Sequence, residues 1–180
     1  MRDDSHLLPL RPSTRLLVVH PQSVKAKMET AFRPCFEDVQ FLSVGLKPTK
    51  AEIEGAQETA SQAEVTVIAA LNARQYPEQT ALIQSVAQQD RPLVLVALRS
   101  PYDLSVFPEK ATQIAIYGEA LPSLEAMARL LCGAIEPSGL LPVDIPGLYG
   151  FGDGLTTPGR ISLRWGESAP RLAIVGQGSG

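Results

Sequence analysis

The 180-residue chain contains few of the residues that build metal and redox sites. It has two cysteines, Cys35 and Cys132, and two histidines, His6 and His20. The cysteines lack C-x-x-C spacing and the histidines are far apart in the chain, so neither pair forms a metal-binding or redox motif. We therefore expect no metal and no cofactor, thiols that are buried or unpaired rather than joined in a disulfide, and imidazoles that are solvated.

Charge of one sign and long apolar runs are also scarce. The net charge is -3 and the sequence pI is about 5.4, and there is no run of lysine and arginine that would attract nucleic acid or an anionic membrane. Only 6% of the residues are aromatic, which leaves few surfaces on which bases or sugars could stack. The apolar runs fall far short of the ~20 residues of a membrane helix, and residues 1–6 lack the apolar core of a signal peptide. We expect neither a nucleic-acid nor a membrane partner, and no feature of the sequence assigns a compartment.

What the sequence does contain is a regular alternation of apolar segments with segments of helical character. Thr49 and Glu52 have the spacing of a helix capping box, Pro77 suits the first position of a helix, and Gly133 suits a helix end. This alternation predicts an α/β fold, a three-layer α/β/α sandwich around a mostly parallel, flavodoxin-like sheet of five to six strands. The predicted strands are residues 16–20, 39–44, 65–71, 93–98 and 113–117, and the predicted helices are residues 23–32, 50–62, 77–89 and 124–131.

One domain of this kind fits between a linker-like segment and an irregular tail. Residues 1–15 place prolines among polar residues and leucines, which prevents a regular helix, and this opening favours a polypeptide that continues before Met1 in a longer protein. The sandwich is predicted over residues 16–147. Residues 148–180 are predicted to be a tail that packs on the domain or on its partner, and residues 161–165 and 171–175 can pair there as a β-hairpin.

Polar side chains follow the predicted strands at the edge where open parallel sheets bind their ligands. Ser100 and Asp103 also have the spacing of a helix start, with Pro101 at the first helical position, and we favour capping for both. The arginines are harder to explain as caps, and either docking of a partner or contact with an anion remains open for them. The residues predicted to form an interface or the wall of a substrate cleft are Arg74, Arg99, Ser100, Tyr102, Asp103 and Tyr117.

The common catalytic and nucleotide-binding motifs are missing from the chain. The turn at residues 20–24 lacks the glycines of a dinucleotide-binding loop, and there is no G-x-S-x-G elbow. His20 and Asn72 stand where a phosphorylated receiver domain would carry acidic residues. We therefore predict no catalytic residue in this chain. The carboxylates that show no spacing for convergence on a sugar are those of Glu119, Glu125, Glu136, Asp144 and Asp153.

Two blocks of sequence are specific when they occur in register: Arg-Ser-Pro-Tyr-Asp at residues 99–103 and Gly-Leu-Leu-Pro-Val at residues 139–143. Together they resemble the C-terminal domain of glycoside hydrolase family 3, and more narrowly that of the bacterial two-domain β-N-acetylglucosaminidases, or β-hexosaminidases. The similarity covers residues 1–147. Its further blocks are residues 2–10, 107–108, 117–118 and 124–126 and Gly133.

The resemblance implies a parent enzyme that hydrolyses β-linked sugars with retention, through an aspartate nucleophile in an N-terminal (β/α)8 barrel. Such a barrel takes about 250 residues, more than this chain has. In the N-acetylglucosaminidase branch the general acid also belongs to the barrel, and no glutamate here fits the motif that supplies it in the β-glucosidase branch. The resemblance thus implies a non-catalytic domain that packs against and supports the barrel and meets carbohydrate only through the parent. The alternative is an autonomous flavodoxin-like module that binds a small anion or another protein.

Overall fold

The computed structural model of the chain describes residues 3–4 and 6–154. In this part of the chain five strands alternate with helices, and no helix is long and apolar enough to cross a membrane. The strands are β1 (Leu16–Pro21), β2 (Val39–Val44), β3 (Val65–Ala70), β4 (Leu93–Ala97) and β5 (Thr112–Ala115). The α-helices are α1 (Lys25–Phe32), α2 (Lys50–Ala60), α3 (Pro77–Ala87) and α4 (Leu121–Leu131).

The five strands form one parallel sheet in the order β2-β1-β3-β4-β5. Leu16 pairs with Val39 on one side and with Val65 on the other, so β1 lies inside the sheet although it comes first in the chain. Strand order therefore reverses beside β1, which is the arrangement of flavodoxin-like folds. The predicted α/β sandwich is confirmed, with five strands among the residues that the structure describes.

Side chains that alternate along the central strands divide the core into two apolar layers. Leu16 and Val18 of β1 face the layer that α1 and α4 cover, whereas Leu17 and Val19 face the layer that α2 and α3 cover. Both sets are fully buried, which is why β1 reads as an unbroken apolar run rather than as an alternating one. Burial of one leucine contributes about 1.5–3 kcal/mol, so the paired layers supply most of the force that holds the sheet together.

Local signals in the sequence fix the beginnings of two helices. The Thr49 hydroxyl accepts a hydrogen bond from the Glu52 amide at 3.3 Å, and the Glu52 carboxylate accepts one from the Thr49 amide at 2.7 Å. The predicted capping box at the start of α2 is therefore confirmed, and Pro77 opens α3 as predicted. Hydrogen bonds from the amides of Thr49 and Gly45 hold the pKa of the Glu52 carboxyl below its usual value.

Some predicted elements differ from the observed ones in kind or extent. The helix predicted from residue 23 begins as a 3-10 turn at Gln22–Val24, and only then continues as α1. After β4 the chain forms a 3-10 helix, Pro101–Val106, at the helix start that the spacing of Ser100 and Asp103 indicated. Strand β5 covers Thr112–Ala115 and stops before the predicted end at residue 117, because Tyr117 has a left-handed φ of 55° that no extended strand can contain. The hairpin predicted over residues 161–175 lies outside the described residues.

The first described residues and the last ones both pack on the sandwich. The Asp3 carboxylate accepts hydrogen bonds from the amides of Leu7 and Leu8 and from the Thr112 hydroxyl of β5. The Leu10 amide donates to the Leu131 carbonyl at 2.7 Å, which ties the same segment to the end of α4. At the other end, the buried Leu141 and Ile145 side chains anchor the loop of residues 138–154 against the α2–α3 layer. These contacts position both segments beside β5.

Candidate functional site

The carboxyl ends of β3, β4 and β5 carry the polar surface that the sequence singles out. We call this surface the rim and define it by the residues that follow those three strands. A pocket of about 270 Å³ opens in the rim. It brings together four of the six predicted site residues, because the loops after β3 and β4 face each other across it. The pocket is lined by Asn72, Arg74, Gln75, Ser100, Tyr102 and Asp103.

Asp103 is the buried centre of this rim, with only 1% of its surface exposed. Its Oδ1 accepts a hydrogen bond from the Arg74 amide at 3.1 Å. Burial raises the pKa of the Asp103 carboxyl, and hydrogen bonds from the amides of Arg74, Ala73 and Asn72 act in the opposite direction. Its Oδ2 is buried and has no hydrogen-bond partner among the described residues. Asp103 therefore fastens the loop after β3 to the 3-10 helix after β4.

The capping role favoured for Ser100 and Asp103 is wrong in its detail. Ser100 stands at the N-cap of the 3-10 helix, but its side chain makes no capping hydrogen bond. The Asp103 amide donates instead to the Ser100 carbonyl, at 3.1 Å. The Asp103 carboxylate turns toward the loop after β3, where its Oδ1 accepts a hydrogen bond from the Arg74 amide.

The loop after β3 reaches Asp103 through a tight turn at Asn72. Asn72 has a φ of 60°, a left-handed conformation that asparagine tolerates better than most residues. Its carbonyl accepts hydrogen bonds from the amides of Gln75 and Tyr76. The turn presents the Arg74 side chain to the solvent side of the pocket, where its guanidinium lies 5.9 Å from the centre of the Tyr102 ring. Arg74 and Tyr102 thus form an exposed cation–π pair.

Arg99 is paired rather than available as a free cation. Its guanidinium forms a salt bridge with the Glu119 carboxylate, and 57% of the arginine side chain is exposed. The second Glu119 oxygen is buried and lacks a hydrogen-bond partner among residues 6–154. Lys27 of α1 donates to the Glu119 carbonyl at 3.4 Å. The pair therefore fixes the loop after β5 to the loop after β4, and leaves little net charge at this point of the rim.

Tyr117 is separated from the other predicted site residues. It lines a second cavity of about 870 Å³, on the outer side of β5, together with Gln113 and Leu140. Partial burial raises the pKa of its phenol, so the hydroxyl stays protonated at neutral pH. We call this cavity the β5 groove. Its lining residues are Asp3, Asp4, His6, Leu104, Gln113, Ala115, Ile116, Tyr117, Gly139, Leu140, Leu141, Tyr149, Asp153 and Gly154.

Gln79 supports the rim from below and was not predicted. Its Oε1 accepts a hydrogen bond from the Leu71 amide at 2.9 Å, and its Nε2 donates to the carbonyls of Leu71 and Leu46, at 2.8 Å and 2.9 Å. One buried amide side chain of α3 thereby holds both the end of β3 and the loop after β2. The helix pattern of α3 gave no signal for this role, because Gln79 is one of several glutamines in that part of the chain.

His20 and Cys35 are both more buried than solvent-exposed reactive groups would be. The prediction of a solvated imidazole is wrong for His20, which is fully buried at the end of β1 and lies near Phe41. Burial lowers the His20 pKa, so the ring is neutral at pH 7. Burial and the neighbouring Cys132 thiol raise the pKa of Cys35 to about 12. Both cysteines are free thiols, and a thiol with such a pKa is a poor nucleophile.

The acidic side chains near these surfaces have structural partners. Asp144 accepts a hydrogen bond from the Phe151 amide at 2.6 Å, and Asp153 accepts one from the Gly150 amide at 2.8 Å. Glu119 is bound to Arg99 and Asp103 to the loop after β3. No group of three or more histidine, cysteine or acidic side chains among the described residues could hold a metal ion.

Comparison with known proteins agrees with the sequence resemblance. The family model "Glycosyl hydrolase family 3 C-terminal domain" matches residues 1–153. A family 3 β-N-acetylglucosaminidase from Paenibacillus sp. str. FPU-7 is similar in structure, with a TM-score of 0.61 and 26% sequence identity over 71% of this chain and 27% of that protein. None of the curated proteins that were compared matches the sequence.

A fungal multi-domain family 3 β-N-acetylglucosaminidase supports the same fold, with a TM-score of 0.69 and 24% identity over 84% of this chain and 18% of that protein. The chain thus spans about a quarter or less of the length of these two enzymes. The resemblance read from residues 99–103 and 139–143 is confirmed, since the family match contains both blocks. The chain belongs to the C-terminal domain family of the family 3 glycosyl hydrolases.

Proposed function

We propose that this chain is the non-catalytic C-terminal domain of a family 3 glycoside hydrolase of the β-N-acetylglucosaminidase type. It packs through the rim against an N-terminal (β/α)8 catalytic barrel and supports that barrel. The observation that carries the proposal is the family match over residues 1–153, together with the structural similarity to a β-N-acetylglucosaminidase of which the match covers 27%. The substrate, β-linked N-acetylglucosamine, is bound and hydrolysed by the catalytic barrel of the parent enzyme and not by this domain.

The arrangement of carboxylates supports a non-catalytic role. Retaining glycoside hydrolysis needs a nucleophile and an acid–base residue about 5–5.5 Å apart across an accessible cleft. Asp103 is buried and accepts a hydrogen bond from the Arg74 amide, so it offers no accessible nucleophile to a sugar. Glu119 is neutralised by Arg99. Both groups serve to hold loops, which is what a docking surface requires.

The composition and rigidity of the rim support its assignment as the docking surface. Arginine and tyrosine are enriched at the energetic centres of protein interfaces, because they bury a large area and still form hydrogen bonds. Arg74 and Tyr102 are both exposed here and are held against each other by their cation–π contact. Asp103 and Gln79 fix the loops beneath them. A preorganised surface of this kind loses little conformational entropy when a partner binds.

The alternative of an autonomous anion-binding module has less support. An anion site needs an unpaired cation or converging backbone amides. Arg99 is already bound to Glu119, the Arg74 guanidinium lies over the Tyr102 ring, and the Arg74 amide donates to the Asp103 carboxylate. An anion placed in the rim pocket would therefore lie close to a buried carboxyl group.

Changes of Arg74 and Tyr102 are expected to weaken association with the catalytic domain of the parent enzyme. We expect the double variant Arg74→Glu, Tyr102→Ser to bind that domain at least tenfold more weakly, since loss of one central arginine or tyrosine contact removes about 2 kcal/mol or more. Both side chains are exposed, so the variant should fold normally. Isothermal titration calorimetry with the separately expressed catalytic domain measures the effect.

The matched control for this experiment is Lys110→Glu. Lys110 is a basic residue with 91% of its side chain exposed. It lies just before the amino end of β5, whereas the rim lies at the carboxyl ends of the strands. Equal affinities of the control and the double variant would contradict the assignment of the rim as the docking surface.

A further inference from the structure

We propose that Cys35 and Cys132 are a redox-active pair, which a small-molecule disulfide oxidises to a disulfide that locks the C-terminal ends of α1 and α4 together. The proposal goes beyond the proposed function, because it concerns the end of the sandwich opposite the rim and needs no catalytic domain. Three observations carry it: the two helix ends lie side by side, one short segment of the chain bridges them, and the two thiols interact.

The first observation is the position of both cysteines at neighbouring helix ends. Cys35 comes shortly after α1, and its amide donates to the carbonyl of Phe32, the last residue of that helix, at 2.9 Å. Cys132 is the C-cap of α4, and its amide donates to the Ala128 carbonyl at 3.1 Å. Both helices follow strands of one parallel sheet and pack against each other on the same face of it. Their C-terminal ends therefore lie at the same end of the sandwich.

The second observation is that one short segment of the chain bridges the two helix ends. The Leu10 amide donates to the carbonyl of Leu131, which directly precedes the second cysteine, at 2.7 Å. The Pro12 carbonyl accepts a hydrogen bond, at 2.9 Å, from the amide of Glu37, which lies just after the first cysteine in the chain. Because Leu10 and Pro12 are close in sequence, they lie no more than about 7 Å apart. The backbone near both cysteines is thus gathered around this segment.

The third observation is the interaction between the thiols themselves. Both side chains are half-buried against the apolar layer that α1 and α4 cover, and both are free thiols. Burial, followed by hydrogen bonding with the Cys132 thiol, raises the pKa of Cys35 to about 12. A disulfide needs Cα atoms within about 7 Å of each other, and two interacting cysteine thiols are placed to meet this condition. They are the only cysteines of the chain, so each is the sole intramolecular partner of the other.

The oxidation is a thiol–disulfide exchange, for which glutathione disulfide is a suitable oxidant. One protein thiolate attacks a sulfur of glutathione disulfide, forms a mixed disulfide and releases one glutathione thiolate. The other protein thiolate attacks the protein sulfur of that mixed disulfide, which forms the bond between Cys35 and Cys132 and releases the second glutathione thiolate. The two protons of the protein thiols pass through solvent to the two glutathione thiolates. Two protein thiols are thereby oxidised and one glutathione disulfide is reduced.

Incubation of the folded full chain with glutathione disulfide tests the proposal. By mass spectrometry we expect a monomer that is lighter by two hydrogen atoms, retains no glutathione and has no thiol left to react with iodoacetamide after unfolding. The bond closes a loop of about 100 residues and so restricts the unfolded chain strongly. We therefore expect the Tm of the oxidised chain to exceed that of the reduced chain by at least about 5 °C in a calorimetric scan.

The matched control is Cys132→Ser, which keeps one thiol and cannot form the bond, and Cys35→Ser is its reciprocal. Calorimetry under reducing conditions first shows that each variant folds, and the oxidant should then leave its Tm unchanged. An unmodified chain that keeps both thiols free, retains glutathione or forms disulfides only between two chains would overturn the proposal. An unchanged or lower Tm after formation of the bond would overturn it too, since the bond would then not lock the helix ends in their native positions.

Discussion

Replacement of Asp103 by alanine is expected to lower the free energy of unfolding by about 1–3 kcal/mol. The carboxylate accepts a hydrogen bond from the Arg74 amide at 3.1 Å, and the 1% exposure of Asp103 means that water cannot take its place. A buried donor that loses its only partner costs about 1–3 kcal/mol. Removal of a buried charge offsets part of this loss, but not all of it. Urea unfolding at pH 7, followed by circular dichroism, measures the difference.

The variant Asp103→Asn separates the hydrogen bonds from the charge. Asparagine keeps an acceptor oxygen for the Arg74 amide but does not ionise. Because burial raises the folded-state pKa of Asp103 above its unfolded value of about 3.8, folding favours the protonated carboxyl. The contribution of Asp103 to stability is therefore fully present below that unfolded pKa and declines as pH rises through the folded pKa. We therefore expect the free energy of unfolding of the wild-type chain, relative to that of Asp103→Asn, to fall as pH rises from the unfolded-state pKa through the folded-state pKa.

An Asp103→Ala variant whose free energy of unfolding lies within about 0.5 kcal/mol of the wild-type value would contradict this account, since ordinary surface substitutions have effects of that size. A stability difference between the wild-type chain and Asp103→Asn that grows with pH would contradict the assigned direction of the pKa shift.

Replacement of Gln79 by leucine is expected to lower the free energy of unfolding by about 2–4 kcal/mol. The side chain is buried and makes three hydrogen bonds to backbone groups of Leu71 and Leu46. Leucine has a similar volume but leaves the Leu71 N–H and C=O groups without partners in the interior, and each such group costs about 1–3 kcal/mol. The ends of β3 and β2 would lose their common attachment to α3. Urea unfolding at pH 7 also measures this effect.

Two further variants define the cause of the Gln79 effect. Gln79→Glu keeps the acceptor for the Leu71 amide but directs an ionised oxygen at two carbonyls, so it should be at least as destabilising at pH 7 and less so near pH 4, where the carboxyl is protonated. Gln84→Leu places the same leucine at an exposed position of α3 and should change stability by less than about 0.5 kcal/mol. Equal effects of Gln79→Leu and Gln84→Leu would show that the hydrogen bonds of Gln79 do not hold the rim.

The parts of the fold that the sequence predicted are those that depend on local signals. Buried parallel strands such as β1 and β4 are continuous apolar runs, and the capping box at Thr49 depends on residues only three positions apart. Such patterns are readable because the physical cause lies within a few residues of the effect. The parallel direction of the strands was predicted from the alternation of strands with helices.

The parts that the sequence did not predict depend on contacts between distant residues. Asp103 has the spacing of a cap, but its partner Arg74 lies 29 positions earlier in the chain. Gln79 contacts Leu46, 33 positions away, and nothing near Gln79 distinguishes it from the other glutamines of the chain. Tyr117 follows a strand end like the other site residues, yet its left-handed backbone turns it toward the β5 groove. Only the assembled sheet brings these partners together.

Turnover of a chromogenic β-N-acetylglucosaminide tests the central claim most directly. We expect no turnover above the buffer blank by the isolated chain at micromolar concentration. We expect enzyme-like turnover when the chain is joined to the catalytic domain of the parent, and no loss of that turnover in the variant Glu136→Gln, which changes an exposed carboxylate of this domain. Enzyme-like turnover by the isolated chain, abolished by substitution of a single carboxylate within it, would contradict the account.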